Sequence, residues 1–135
     1  MKLLSWNTRG ISNLREIKIL RKNIKMTNPT IVFLQETKYL ANYIQDRRGK
    51  IWEWCESMGI DARGYSGGLC ILWDPSRVSL TCFQGTRNSI IANFKVVGFP
   101  ISGIITNIYG AQKVVDKHIF VISLQNPREI LPIEH

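Results

Sequence analysis

The sequence predicts an α/β domain, and three observations carry that prediction. The first 35 residues read as strand, helix, strand. The residues beyond Gly64 read as a series of short strands. The composition, 44% hydrophobic and 21% charged, is that of a chain with a buried core. At 135 residues there is room for one domain or part of one. A disordered tail is excluded. No apolar run reaches the ~18 residues of a membrane helix, and the N-terminal apolar stretch is too short for a signal peptide. Neither a membrane nor an obligate protein partner is indicated. Cys55, Cys70 and Cys82 make an odd count without C-x-x-C spacing, which disfavours a disulfide scaffold or zinc site and fits a reducing, intracellular setting.

The elements follow in order. Residues 2–6 are a short, mostly apolar strand. Gly10 to Asn13 is turn chemistry, and Asn13 with Glu16 has the spacing of a capping box. Residues 14–26 have helical period, with Leu14, Ile17, Leu20 and Ile24 on one stripe and Arg15, Lys18, Lys22 and Lys25 on another. Asn28-Pro29 stops the helix. Residues 30–34 are a continuous apolar strand of the kind buried on both faces. The two strands are expected to be parallel, so their C-terminal ends share one edge, where open α/β sheets bind ligands. Asn7 and Glu36 sit just past those ends.

Residues 39–48 are expected to be a short helix and 50–57 a strand. Trp52, Trp54 and Trp73 are expected in the core. Residues 69–73, 78–83, 89–97 and 101–109 read as four strands punctuated by Asp74-Pro75, Gly85, Gly98 and Pro100. Residues 114–125 are expected to be a helix ended by Asn126-Pro127. The final apolar residues, Ile130, Leu131 and Ile133, suggest a further buried strand beyond the end.

The charge is uneven. Residues 1–50 hold eleven Lys/Arg and three Asp/Glu, while residues 51–135 hold seven of each. The whole net charge of +8 therefore belongs to the first 50 residues. That points to a polyanionic partner, or to a solvated helix face. Asn7 and Glu36 offer the oxygen donors that Mg²⁺ prefers, and Tyr109, at a strand end, offers a hydroxyl to a phosphate. Gly64-Tyr65-Ser66-Gly67-Gly68 matches a G-x-S-x-G nucleophile elbow. That elbow needs a helix after it, and a strand follows here, so a glycine-rich turn is the better reading. His118 and His135 have no partner at metal-ligand spacing.

Ser5-Trp6-Asn7-Thr8-Arg9-Gly10, Phe33-Leu34-Gln35-Glu36-Thr37-Lys38, Ser66-Gly67-Gly68 and Asn107-Ile108-Tyr109-Gly110 occur in that order. Together they resemble the endonuclease/exonuclease/phosphatase superfamily, and most of all the N-terminal endonuclease domain of plant LINE-type retrotransposon polyproteins. The resemblance implies a four-layer α/β sandwich, two β-sheets face to face with helices outside. It implies Mg²⁺-dependent hydrolysis of a DNA phosphodiester, with Mn²⁺ as an alternative ion, and a nuclear location. Carried over by position, Glu36 is the direct metal ligand and Asn7 helps orient the metal or its water. Tyr109 hydrogen-bonds the scissile phosphate. Arg9, Lys38 and the helix cations Arg15, Lys18, Lys22 and Lys25 meet backbone phosphates.

The superfamily's Gly-Asp-x-Asn strand end and its closing Ser-Asp-His do not occur in the sequence. Residues 1–135 are therefore expected to be the N-terminal part of one such domain, lacking the group that activates water and so inactive alone. Two rival readings remain: a non-enzymatic, basic nucleic-acid-binding remnant, and a phosphatase or phosphodiesterase acting on a small substrate. A truncated sandwich is also expected to leave one inner sheet face uncovered, with Ile104, Ile105 and Ile108 as the exposed hazard.

Overall fold

Leu3–Asn7 (β1) and Ile31–Gln35 (β2) pair in parallel, in register from Leu3 with Ile31 to Asn7 with Gln35. The structure is a computed structural model describing residues 1–11, 14–64, 66–110, 117–124 and 133–134. Helix α1 (Leu14–Thr27) joins the two strands. Its Ile17, Leu20 and Ile24 are buried, as the stripe predicts, but Leu14 is exposed because it opens the first turn. Asn28, in the left-handed region at φ 48, closes the helix with its N–H on the Ile24 carbonyl. The capping pair Asn13 and Glu16 lies outside the described residues in its first member.

Helix α2 (Ala41–Ile51) runs three residues past the expected end, and strand β3 (Glu56–Ile60) begins only after a turn. The expected strand at 50–57 is thus corrected. Ile51 and Cys55 are both buried with the helical layer, and the turn between them puts Trp54 at φ 66 and 84% exposed. Trp54 is not core; Trp73 is, and Trp52 packs partly buried beside α2. Leu40 supplies no side-chain cap to α2. Asp61, from the loop after β3, accepts a hydrogen bond from Ala41 N at 2.7 Å instead, placing an anion at the helix N-terminus.

Strand β4 (Leu69–Trp73) runs antiparallel to both β2 and β3, and a two-residue strand, β9 (Ile133–Glu134), pairs parallel with β1. The first sheet therefore has the order β3-β4-β2-β1-β9. The second is antiparallel: β5 (Val78–Thr86), β6 (Ser89–Val96), β7 (Ser102–Gly110) and β8 (Lys117–Leu124), in that order. The helix expected over 114–125 is corrected to this last strand. Ile119, Phe120, Val121 and Ile122 are β-branched or aromatic, and β7 offers an edge that the segment fills in register over eight residues.

Alternation decides the layers. Odd-numbered Leu3, Ile31 and Phe33 face the second sheet, meeting Val78, Leu80, Ile90, Ala92, Phe94 and Ile105 in one buried cluster. Even-numbered Leu4, Val32 and Leu34 face the helices, meeting Ile17, Leu20, Ile24, Ile44 and Ile51. The result is the expected α/β sandwich, two sheets face to face with helices outside. Both described helices cover the first sheet. Among the described residues the inner faces of the two sheets meet in one buried cluster, so the expected uncovered inner face is not found there. Ile105 is fully buried between them, while Ile104 and Ile108 lie on the outer face of the second sheet, Ile104 at 44% exposure. Among the described residues no helix is long and apolar enough to cross a membrane.

Candidate functional site

Between the sheets, the inward residues change character along the strands. Leu3, Ile31 and Phe33 give way to Ser5 and Gln35, then to Asn7 and Glu36 at the C-terminal edge. On the facing strand β7, Ile105 gives way to Asn107 and then Tyr109. Gln35 Nε2 donates to Ser5 Oγ at 3.0 Å and to Asn107 Oδ1 at 2.9 Å. Asn107 Nδ2 donates to the carbonyls of Leu34 and Cys70, at 3.3 and 3.1 Å. This fully buried amide network spans both sheets and fixes their offset, since each lost partner would leave a buried polar atom costing about 1–3 kcal/mol.

The site stands directly above that network. Tyr109 Oη donates to Glu36 Oε1 at 2.5 Å, joining residues 73 apart in sequence. Tyr109 is buried and Glu36 half-buried, and Oε2 of Glu36 takes no hydrogen bond among the described residues. Asn7 Oδ1 accepts from Arg9 N at 3.0 Å, closing a turn, while its Nδ2 is buried with no partner among the described residues. Gln35 Oε1 is the other buried atom left in that state.

Three loops are laced together to hold these groups. Thr8 N donates to Gln35 O, Gly10 N to Glu36 O and Ile11 N to Thr37 O, at 2.8–3.1 Å. Thr8 Oγ1 donates to Glu36 O at 2.9 Å. From the other side, Thr37 N donates to Gly68 O and Lys38 N to Gly67 O. The lacing forces strained backbone: Arg9, Glu36 and Lys38 lie at φ 51, 50 and 62. Such conformations cost about 1–3 kcal/mol each outside glycine and collect at functional sites. Gly68 is obligatory here. Its φ is +93, and a Cβ there would stand 2.2 Å from Thr37 Oγ1. Ser66-Gly67-Gly68 leads into strand β4, not into the helix that a nucleophile elbow needs.

The structure gathers Asn7, Glu36, Tyr109, Arg9 and Lys38 at one edge. It does not bring Lys18, Lys22 and Lys25 there. They are exposed on the outer face of α1, and the helix runs away from the site, ending where Lys2 Nζ donates to the Thr27 carbonyl. Arg15, in the first turn, is the one of the four nearest the edge. Sequence reasoning missed Arg63 and Arg87, which line a recess of about 140 Å³ with Asp61, Ser66, Gly67, Gly68, Asn88 and Tyr109. Neither arginine has a motif or period to mark it. Only the convergence of the 61–68 loop and the β5–β6 turn on Tyr109 reveals them.

As a cation site this donor set fits a hard ion that keeps most of its water. Among the described residues no three His, Cys, Asp or Glu side chains cluster, so a closed cage is excluded there. One carboxylate with an open oxygen, backed by a substrate phosphate, is how Mg²⁺ is commonly held, and the site supplies that carboxylate. Asn7 fits less well as a direct ligand, because its amide oxygen is taken and its buried nitrogen can only donate.

The sequence matches the model of the endonuclease/exonuclease/phosphatase family over residues 4–126. No curated protein matches it by sequence. Among solved structures, a functionally unknown conserved protein from Enterococcus faecalis is similar with TM-score 0.60 at 13% identity, covering 79% of this chain and 52% of that one. D. rerio TDP2 complexed with single strand DNA product gives 0.56 at 21%, covering 82% and 47%. The AP endonuclease LMAP from Leishmania major gives 0.52 at 14%, covering 66% and 34%. The chain spans about half or less of the length of these structures, and the likeness extends to the fold. With the family match over most of its length, the chain belongs to the endonuclease/exonuclease/phosphatase family.

Proposed function

We propose that these residues form part of a Mg²⁺-dependent endonuclease site acting on DNA phosphodiesters, of the kind found at the N-terminus of LINE-type retrotransposon polyproteins. The observation that carries this reading is the Glu36 carboxylate, clamped from the opposite sheet by Tyr109 at 2.5 Å beside the cations Arg9 and Lys38. Glu36 would hold the metal, its carboxylate having one oxygen engaged by Tyr109 and the other open. A divalent ion bound there neutralises charge developing on the phosphate and the leaving oxygen. Tyr109 is a buried donor held by packing, and turning its hydroxyl hydrogen from Glu36 to a phosphate oxygen would position the reacting group with little reorganisation. Asn7 Nδ2 is a second such donor, already desolvated and waiting for an anionic oxygen. Arg9 and Lys38 hold the flanking backbone phosphates.

The sequence supplies no aspartate in a Gly-Asp-x-Asn context among Asp46, Asp61, Asp74 and Asp116, and Asp61, which lines the recess with Tyr109, is engaged as the cap of α2. We therefore infer that residues 1–135 are the N-terminal part of the domain, able to bind DNA but not to cut it efficiently. General-base catalysis contributes about 10²–10⁴-fold, and losing several groups of one site costs more. The test is nicking of supercoiled plasmid with Mg²⁺. Binding without Glu36-dependent nicking is expected. Robust nicking that disappears in Glu36→Gln would overturn the inactive reading, and hydrolysis of a small phosphate ester with no affinity for DNA would favour the phosphatase reading.

A further inference from the structure

A second recess opens beside the site, about 570 Å³ in volume and lined by Arg9, Gly10, Lys38, Tyr39, Leu40, Ala62 and Gly64. That volume falls within the ~300–1,000 Å³ typical of small-molecule pockets. It adjoins Glu36 through the backbone, because Gly10 donates its N–H to the Glu36 carbonyl at 2.8 Å. Its two charged lining residues are both cations.

Tyr39 sets its character. The Tyr39 and Tyr43 rings stack at 4.1 Å with planes 13° apart, and the Arg47 guanidinium sits 3.6 Å from the Tyr43 centroid. A ring has two faces, so these three form a column, Arg47 on Tyr43 on Tyr39, whose last ring lines the recess. Pairs four apart on a helix are ordinary surface stabilisers, and Tyr43 with Arg47 needs no other account. Tyr39 precedes α2 and is fixed by more than that column: it packs partly buried against the helical layer, and its carbonyl accepts from Ala62 N at 3.1 Å. The column thus ends in a half-exposed ring that lines the recess together with two cations, Arg9 and Lys38.

We propose that this recess takes an unpaired nucleotide flanking the scissile phosphate, its base stacked on Tyr39 and its phosphates held by Arg9 and Lys38. The inference rests on the nucleic-acid reading above and narrows its substrate. A base inside a duplex is stacked on its neighbours and offers no free face, so the platform selects single-stranded, frayed or extruded nucleotides.

The test needs no metal and no catalysis. A short single-stranded oligonucleotide carrying 2-aminopurine is titrated with the chain in EDTA at low salt. Wild type and Tyr39→Phe should quench its fluorescence and bind alike. Tyr39→Leu should lose the quench and bind about five- to 150-fold more weakly. Wild type should bind a strand of abasic residues more weakly than the intact strand by a similar factor, and that comparison, made within wild type, holds even if the leucine variant folds poorly. Binding of the matched duplex should be insensitive to Tyr39. Equal binding and quenching by wild type and Tyr39→Leu, or equal affinity of wild type for the intact and abasic strands, overturns the platform alone. Absence of any oligonucleotide binding by wild type overturns the nucleic-acid reading beneath it.

Discussion

Replacing Gly68 by alanine isolates the lacing that holds Glu36. Gly67 and Gly68 are neighbours with positive φ, 75° and 93°, and their carbonyls accept from Lys38 N and Thr37 N respectively. An alanine at either pays about 1–2 kcal/mol for the left-handed backbone, and at either the unfolded chain loses similar freedom. They differ in space. A Cβ at Gly67 meets nothing within 4 Å, whereas one at Gly68 meets Thr37 Oγ1 at 2.2 Å and Lys38 N at 3.1 Å. Thr37 is 1% exposed, so its hydroxyl cannot swing out to solvent. Overpacking of this kind costs about 1–3 kcal/mol more. For a domain of this size each kcal/mol shifts Tm by about 3–5 °C, so Gly68→Ala should melt roughly 3–15 °C below Gly67→Ala. Thermal melts by circular dichroism make the comparison. Melting points within about 1 °C of each other would refute the reasoning, because the backbone term is common to both.

Burial pushes the Cys55 thiol up to about 12 and the Cys70 thiol higher still, while Cys82 is exposed. An aromatic disulfide reagent at pH 8 should therefore titrate one thiol quickly in the native chain and three in denaturant; three fast thiols would mean that the core is open. Burial raises the Asp74 carboxyl, but hydrogen bonds from Ser76 and from Arg77 outweigh it and hold the group below its ordinary value. Its contribution is complete above about pH 4 and fades as pH falls through the lowered value, so Asp74→Asn should flatten the acid limb of a urea-stability profile. If Arg9 and Lys38 hold phosphates and the outer face of α1 does not, Lys38→Gln should reduce the salt slope of single-strand binding by about 0.7. Lys18→Gln, Lys22→Gln and Lys25→Gln together should leave that slope unchanged, and a flattened slope would move the DNA surface onto α1.

What the sequence reveals here is periodicity and edge position. The stretch 69–73 reads as a strand because five apolar residues run unbroken, and β4 occupies those positions. Asn7 and Glu36 could be placed at one sheet edge because a βαβ unit puts consecutive strand ends together. Periodicity failed where tertiary context decides. The 114–125 stretch has enough apolar residues for either a helix face or a strand, and the open edge of β7 selects the strand. Trp54 looked like core because tryptophan usually is, and a turn with positive φ turned it outward. At the site, residue types were legible but contacts were not. No local signal ties Tyr109 to Glu36, Gln35 to Asn107, or Arg63 and Arg87 to the same recess, because these meetings depend on how one sheet is set upon the other. The phosphate role expected of the α1 lysines rests on the resemblance and on charge, and neither fixes where that helix face lies relative to the Glu36 edge.

We propose that Glu36, at the end of β2 and clamped by Tyr109, is the carboxylate that would hold a divalent cation in this chain. Binding of Mn²⁺, read by loss of its free-ion electron paramagnetic resonance signal, tests it without substrate or turnover. The wild-type chain should show one weak site that Mg²⁺ competes for, Glu36→Gln should abolish it, and Tyr109→Phe should retain it. Unchanged Mn²⁺ binding in Glu36→Gln would contradict the account.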